Sequence, residues 1–114
     1  MFKQKLIYVC SPLKGDIEGN VERAKGYCKT VIEMGYIPIA PHVMYRDFLN
    51  DEIAEQRERG LEIGLELIKI CDETWVFTEH ISDGMKSEIL LTKVLGKTVK
   101  RVLFDGGIKN DRAK

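Results

Sequence analysis

The chain has 114 residues, 44% of them hydrophobic, and its 18 Lys+Arg balance 18 Asp+Glu, so it is formally neutral at pH 7. That length and apolar content predict one compact domain, residues 1–114, with a core that needs no metal or disulfide staple. Balanced charge removes the basic footprint of a general binder of polymeric nucleic acid, while leaving room for a small anion held by local groups.

No apolar run approaches the roughly 20 residues of a membrane span. Met1 to Lys5 is too short and polar for a signal peptide. Cys10, Cys28 and Cys71 are odd in number and lack CxxC spacing, which points to free thiols in a reducing cytoplasm. His42 and His80 lie far from any paired cysteines, so no zinc site is expected.

Lys5 to Cys10 is a nearly continuous apolar run and reads as a strand buried on both faces, as in a parallel sheet. Ser11 to Asp16 follows as a loop. Asn20 is a candidate cap for a helix whose Val21, Ala24, Cys28, Val31 and Ile32 recur at helical spacing, with Gly35 as its stop. Tyr36 to Ala40 reads as a second strand, and Pro38, lacking a backbone donor, places it at a sheet edge. Pro41 to Asn50 reads as a loop. A long helix capped by Asn50 or Asp51 runs to about Ile70, with Ile53, Arg57, Leu61, Gly64, Leu65 and Ile68 on one face. Glu73 to Phe77 is a third strand, Gly84 to Leu95 a third helix stopped by Gly96, and Thr98 to Phe104 a fourth strand. Asp105 to Lys114 reads as a frayed end or short extension.

This alternation predicts an α/β fold: a three-layer α/β/α sandwich of Rossmann or flavodoxin type around a parallel sheet of four to five strands. Ligands in such folds sit beyond the carboxyl ends of the strands. The segments to search are therefore Cys10–Gly19, Pro41–Asn50 and Thr78–Gly84, with the helix start just beyond.

Ile81 to Glu88 joins a strand to a helix. Gly84 allows close approach to backbone, and the free N–H groups of the helix start, near Met85, can hold a phosphate or carboxylate. Ser82 and Ser87 add hydroxyls, and Glu88 lies about one turn into the helix. The plainer reading makes Ser82 or Asp83 an N-cap and Glu88 a solvated carboxylate. Ser11, Lys14 and Gly15 form a second candidate phosphate loop, although neither GxxxxGK[ST] nor GxGxxG spacing is present. His42 follows the second strand and faces the expected cleft, as a ligand contact or proton carrier. Glu62 and Glu66 read as a solvated helix face beside Arg59 and Lys69. Asp72 reads as a turn or capping residue, Trp75 as core, and Tyr8 as core with a hydroxyl in reach of the cleft.

Three segments, Tyr8-Val9-Cys10-Ser11-Pro12, Gly35-Tyr36-Ile37-Pro38 and Ser82 to Glu88, together resemble the nucleoside 2-deoxyribosyltransferase-like superfamily. The stretch Gly64 to Phe77 is similar to an uncharacterised family of small bacterial and phage proteins within it. The resemblance spans most of Lys5 to Val102. It implies cleavage of an N-glycosidic bond of a nucleoside or its 5′-monophosphate, with Glu88 at the position of the family's nucleophile. Ser82, six residues earlier, matches the phosphate-contacting serine of the monophosphate-hydrolase branch, and Ser11 falls near another phosphate position. It also implies assembly as a homodimer or higher homo-oligomer and requires no metal or organic cofactor.

One position departs from the pattern. Both characterised branches carry an aspartate eight residues before the one that introduces the third strand, and here that position is Gly64. His42, Asp47 and Asp51 are the candidates to replace this base-protonating group. The sequence thus supports a nucleotide N-glycoside hydrolase or transferase, with a catalytically inactive nucleotide-binding module as the alternative.

Overall fold

The computed structural model describes residues 4–104 and 108–110. In chain order the elements are β1 (Leu6–Cys10), α1 (Ile17–Glu33), β2 (Ile37–Ile39), α2 (Pro41–Met44), α3 (Ala54–Ile70), β3 (Glu73–Val76), α4 (Asp83–Val94), β4 (Thr98–Phe104) and β5 (Ile108–Asn110). The sheet order is β2-β1-β3-β4-β5. The first four strands pair in parallel and β5 is antiparallel to β4. The expected α/β/α architecture is therefore present. Pro38 sits on the edge strand β2, where a missing N–H interrupts no interior ladder.

Strand periodicity sorts the core into two halves. Ile7 and Val9 pack with Trp75, Phe77 and the Ala24, Tyr27 and Val31 face of α1. Tyr8 and Cys10 point the other way and pack with Val76, Ile68 of α3 and Met85 of α4. Tyr27 and Phe77 stack at 4.6 Å between centroids, and Tyr36 meets Trp75 edge-on, so one layer is aromatic. The opposite layer carries the polar groups that matter below.

Several boundaries differ from the sequence reading, each for a local reason. Asp16, not Asn20, caps α1, its carboxylate accepting from the Gly19 N–H. Asn20 is inside the helix and buried, donating its amide to the Leu13 and Lys14 carbonyls, which ties the β1–α1 loop to α1. The segment after β2 opens with the short helix α2, begun by Pro41. Helix α3 starts three residues after Asp51, at Ala54, without a side-chain cap. The tail contributes β5, and 105–107 and 111–114 lie outside the described residues.

Helices α1 and α4 stop where glycine follows, Gly35 (φ +93°) and Gly96 (φ +73°). Helix α3 has no such glycine. Lys97 closes it instead, donating to the carbonyls of Ile68, Lys69 and Cys71 at 3.0, 2.6 and 2.6 Å. Asp72 locks the start of the sheet, its carboxylate accepting from Leu6 N at 2.8 Å while its own N–H donates to Leu6 O. Among the described residues, no helix is long and apolar enough to cross a membrane.

Candidate active site

A cleft of about 730 Å³ opens at the carboxyl ends of β1 and β2. Its walls come from the β1–α1 loop, from α2 and the chain that follows it, and from one face of α3, with Tyr8 and Glu88 at its inner end. Such a position, beside the strand order reversal at β1, is where doubly wound sheets bind ligands.

Glu88 is placed by α4. Met85, Glu88 and Thr92 are three and four residues apart and form the buried face of that helix. Thr92 Oγ1 donates to the Glu88 carbonyl at 2.8 Å. Its single proton is then spent, so Thr74 of β3 donates to Thr92 across their 2.8 Å contact. This chain fixes the turn bearing Glu88 to the sheet.

The Glu88 side chain is only 6% exposed. Tyr8 Oη donates to its Oε2 at 2.6 Å, and Cys10 Sγ donates to its Oε1 at 3.3 Å. Both donors come from one strand at i and i+2, which sends them to the same face of the sheet. Burial pushes the Glu88 carboxyl up to about 7, while the two donors pull against that rise by favouring the anion. Burial first, and then the neighbouring carboxylate, push Tyr8 and Cys10 far above their ordinary range, so both remain protonated donors.

Gly64 explains how the phenol fits. A methyl group at Gly64 would lie 2.7 Å from Tyr8 Oη and 3.3 Å from Glu88 Oε2. Helix α3 can pass this close only because residue 64 has no side chain. The position at which the resemblance called for an aspartate is thus beside the carboxylate, and the Tyr8 hydroxyl occupies the space.

His42 also lines the cleft, in α2. Its Nε2 lies 3.0 Å from the Ser11 carbonyl, which can only accept, so Nε2 carries the proton and Nδ1 of the neutral ring is an acceptor. Burial lowers its pKa, opposed by the Ser11 bond and by Asp51, which favours the neutral form at pH 7. Asp47 borders the cleft from an exposed position, and Gly15 (φ +97°) borders it from the first loop.

The expected phosphate groups are arranged differently. Ser11, Lys14, Ser82, Gly84, Met85 and Ser87 do not border this cleft. Ser82 is the N-cap of α4 and accepts from Met85 N at 3.3 Å, the plainer of its two readings. Lys14 and Ser87 are exposed, and Met85 is core. A methyl at Gly84 would meet nothing closer than Leu61 at 3.7 Å, so no packing within the chain depends on this glycine. The Ser11 hydroxyl is buried without a hydrogen-bond partner among the described residues.

The cleft wall instead carries five carboxylates besides Glu88, namely Asp16, Glu18, Asp47, Asp51 and Glu52, against the guanidiniums of Arg46 and Arg57. Arg46 is paired with Glu18. Glu62 and Glu66 pair with Arg59 and Lys69 on the solvated side of α3, as their spacing suggested. Among the described residues, no group of three or more His, Cys, Asp or Glu is placed to hold a metal ion.

Sequence reasoning passed over Cys10 as a plain thiol, and did not single out Phe48, Tyr45 or Arg57 as site residues. The signal for Cys10 was its i+2 spacing from Tyr8 on a strand next to the candidate carboxylate. The β2–α3 segment offered no periodicity, so its cleft-facing side chains were not legible.

A family described as a domain of unknown function (DUF7768) matches residues 5–102. No curated protein matches significantly. Among solved structures, the fold is similar to a 2-deoxyribosyltransferase from the psychrotolerant bacterium Bacillus psychrosaccharolyticus. The TM-score is 0.68 at 22% identity, covering 92% of this chain and 77% of that one. It is also similar to a 2-deoxyribosyltransferase from Leishmania mexicana, with TM-score 0.61 at 15% identity over 93% of this chain and 79% of that one. At these identities the likeness establishes the fold.

Proposed function

The chain belongs to the DUF7768 family, and from that premise we propose that it cleaves the N-glycosidic bond of a nucleoside-type substrate through Glu88. The observation that carries this reading is the buried Glu88 carboxylate at the inner end of the cleft, oriented by Tyr8 at 2.6 Å and Cys10 at 3.3 Å. The fold shared with two 2-deoxyribosyltransferases supports it.

The chemistry follows from that arrangement. The ionised Glu88 attacks the anomeric carbon as the C–N bond breaks, and the electron pair of that bond leaves with the base. The sugar is then held as an ester of Glu88. Water attacking the same carbon gives hydrolysis, and a second base gives transfer; either attack returns the carboxylate. Tyr8 and Cys10 hold the carboxylate in one rotamer and reduce the entropy to be lost on reaction. Because burial places Glu88 at about 7, the reactive anion grows with pH through neutrality. The departing base needs one proton. His42, with Nε2–H committed to Ser11, suits accepting from a sugar hydroxyl through Nδ1. Proton delivery falls to water in the cleft, which Asp47 on the wall can orient.

The acidic wall favours an uncharged nucleoside over a 5′-monophosphate, since with Glu18 paired to Arg46 and Asp16 to Arg23, the carboxylates of Asp47, Asp51 and Glu52 remain there against the Arg57 guanidinium. A second reading, a nucleoside-binding module without turnover, draws on Gly64, which leaves no acidic side chain beside Glu88. A homodimer forms part of the proposal: Leu90 and Val94, one turn apart on α4, are 63% and 72% exposed, and light scattering measures the state.

The deciding experiment incubates the protein with ribo- and deoxynucleosides and their 5′-monophosphates, with and without an acceptor base. Chromatography reads free base or exchanged nucleoside. The expected result is product from nucleosides that disappears in Glu88→Gln. Turnover that survives Glu88→Gln refutes the mechanism, and saturable binding with no product from any substrate moves the protein to the second reading.

A further inference from the structure

The chain from the β2–α3 connection into the first turn of α3 holds two side chains that the proposed mechanism does not use. Phe48 is 73% exposed, an unusual setting for a large apolar ring, and it borders the cleft. Tyr45 supports it edge-on, with centroids 6.4 Å apart and planes at 65°, which leaves a face of Phe48 open. Arg57 borders the same cleft from the first turn of α3. Its guanidinium donates to the Asp51 carbonyl at 3.1 Å and forms no ion pair among the described residues. A guanidinium has five donors, so most remain for a ligand, and the Asp51 bond fixes the orientation of the fork.

Spacing along α3 relates these groups to Glu88. Arg57 lies seven residues before Gly64, the position that touches Glu88. At 1.5 Å per residue the two backbone positions are about 10 Å apart. A sugar attached at Glu88 and a purine extending from it span a distance of that order.

We propose that Phe48 and Arg57 form a nucleobase subsite, in which Phe48 stacks on the base and Arg57 reads an acceptor edge, selecting 6-oxopurines over 6-aminopurines. The rule is one of donor and acceptor matching. A 6-oxopurine presents O6 and N7 as adjacent acceptors, which a guanidinium fork meets with two bonds. A 6-aminopurine places an amino donor at the first of those positions, so a cation that can only donate opposes it. Nearby Asp47, Asp51 and Glu52 make the same site a poor one for a phosphate dianion. This inference rests on the nucleoside reading of the cleft but not on turnover.

The test is calorimetric binding of hypoxanthine, adenine and ribose 5-phosphate to the whole protein. Hypoxanthine should bind at least tenfold more tightly than adenine. Arg57→Met should erase that preference by weakening hypoxanthine while leaving adenine within twofold. Phe48→Ala should weaken both bases by about tenfold, in line with the loss of one stacked aromatic. Equal affinity for the two bases in the unaltered protein, or no binding of either, overturns the subsite. If Arg57→Met instead abolishes ribose 5-phosphate binding and spares hypoxanthine, the guanidinium holds phosphate and the proposal is wrong. The unaltered protein separates the two readings: a hypoxanthine preference without base release from any nucleoside sinks the catalytic reading alone, whereas base release without that preference sinks the subsite alone.

Discussion

Replacing Gly64 with alanine asks directly whether the Tyr8 phenol fills the space beside Glu88. The new Cβ would lie 2.7 Å from Tyr8 Oη, a distance that carbon and oxygen do not tolerate, whereas Tyr8 Cζ lies at an ordinary 3.9 Å. The phenol is 1% exposed and bonded to Glu88 at 2.6 Å, so it yields only by leaving that bond or by straining its packing. Overpacking of this kind costs about 1–3 kcal/mol. Against it stands the gain of replacing a mid-helix glycine with alanine, about 1 kcal/mol. Gly64→Ala should therefore destabilise the protein by a net of about 0–2 kcal/mol, with about 1 kcal/mol as the central value. In the Tyr8→Phe background the clashing oxygen is gone, and the same substitution should become neutral or stabilise by up to about 1 kcal/mol. The coupling between the two positions is then about 2 kcal/mol. Urea unfolding of the four proteins, followed by far-ultraviolet circular dichroism, measures it. Equal effects of Gly64→Ala in both backgrounds would refute the reasoning, because the phenol would then not be what excludes a side chain at residue 64.

Three further outcomes follow from the same geometry. Glu88 titrates near 7 in the folded chain against a reference of 4.5, so between those values the folded state holds the extra proton. Its contribution is complete below 4.5 and falls as pH rises to about 7, by about 3 kcal/mol in all. Glu88→Gln should remove that slope; His42, lowered by burial, acts in the opposite sense and stays in both proteins, so the difference between their urea midpoints from pH 4.5 to 8 is the readout. Identical pH dependence in the two proteins would exclude this titration. Cys10→Ala deletes the donor to Glu88 Oε1 and should move the rising limb of the base-release pH profile to higher pH, while Cys10→Ser leaves it nearer the original position; an unmoved limb in Cys10→Ala contradicts the assigned bond. Lys97→Met strips the C-terminal carbonyls of α3 of their ammonium and should cost about 1–2 kcal/mol in thermal unfolding without altering base affinity, as these carbonyls lie at the opposite end of α3 from Arg57.

The sequence by itself determined the order of the longer elements, because hydrophobic period is a local property, but it missed the short α2 and β5, which span too few residues to show one. The buried run of β1, the Gly35 and Gly96 stops and the edge position of Pro38 are all written in neighbouring residues. It also pointed to Glu88 through a resemblance, and to Gly64 as the position where that resemblance breaks. It could not say what Gly64 is for. That depends on α3, β1 and α4 meeting, so that residues 8, 64 and 88, far apart in the chain, share one contact. Tertiary structure likewise shows Ser82 capping α4, with its hydroxyl accepting from Met85 N. It gathered acidic side chains around the cleft although the whole chain is neutral, since net charge is a sum and a binding site feels only the charges nearby. The irregular segment from Tyr45 to Ile53 was least legible of all: without a repeating pattern, the facing of Phe48 toward the cleft follows only from the packing of Tyr45 and the start of α3.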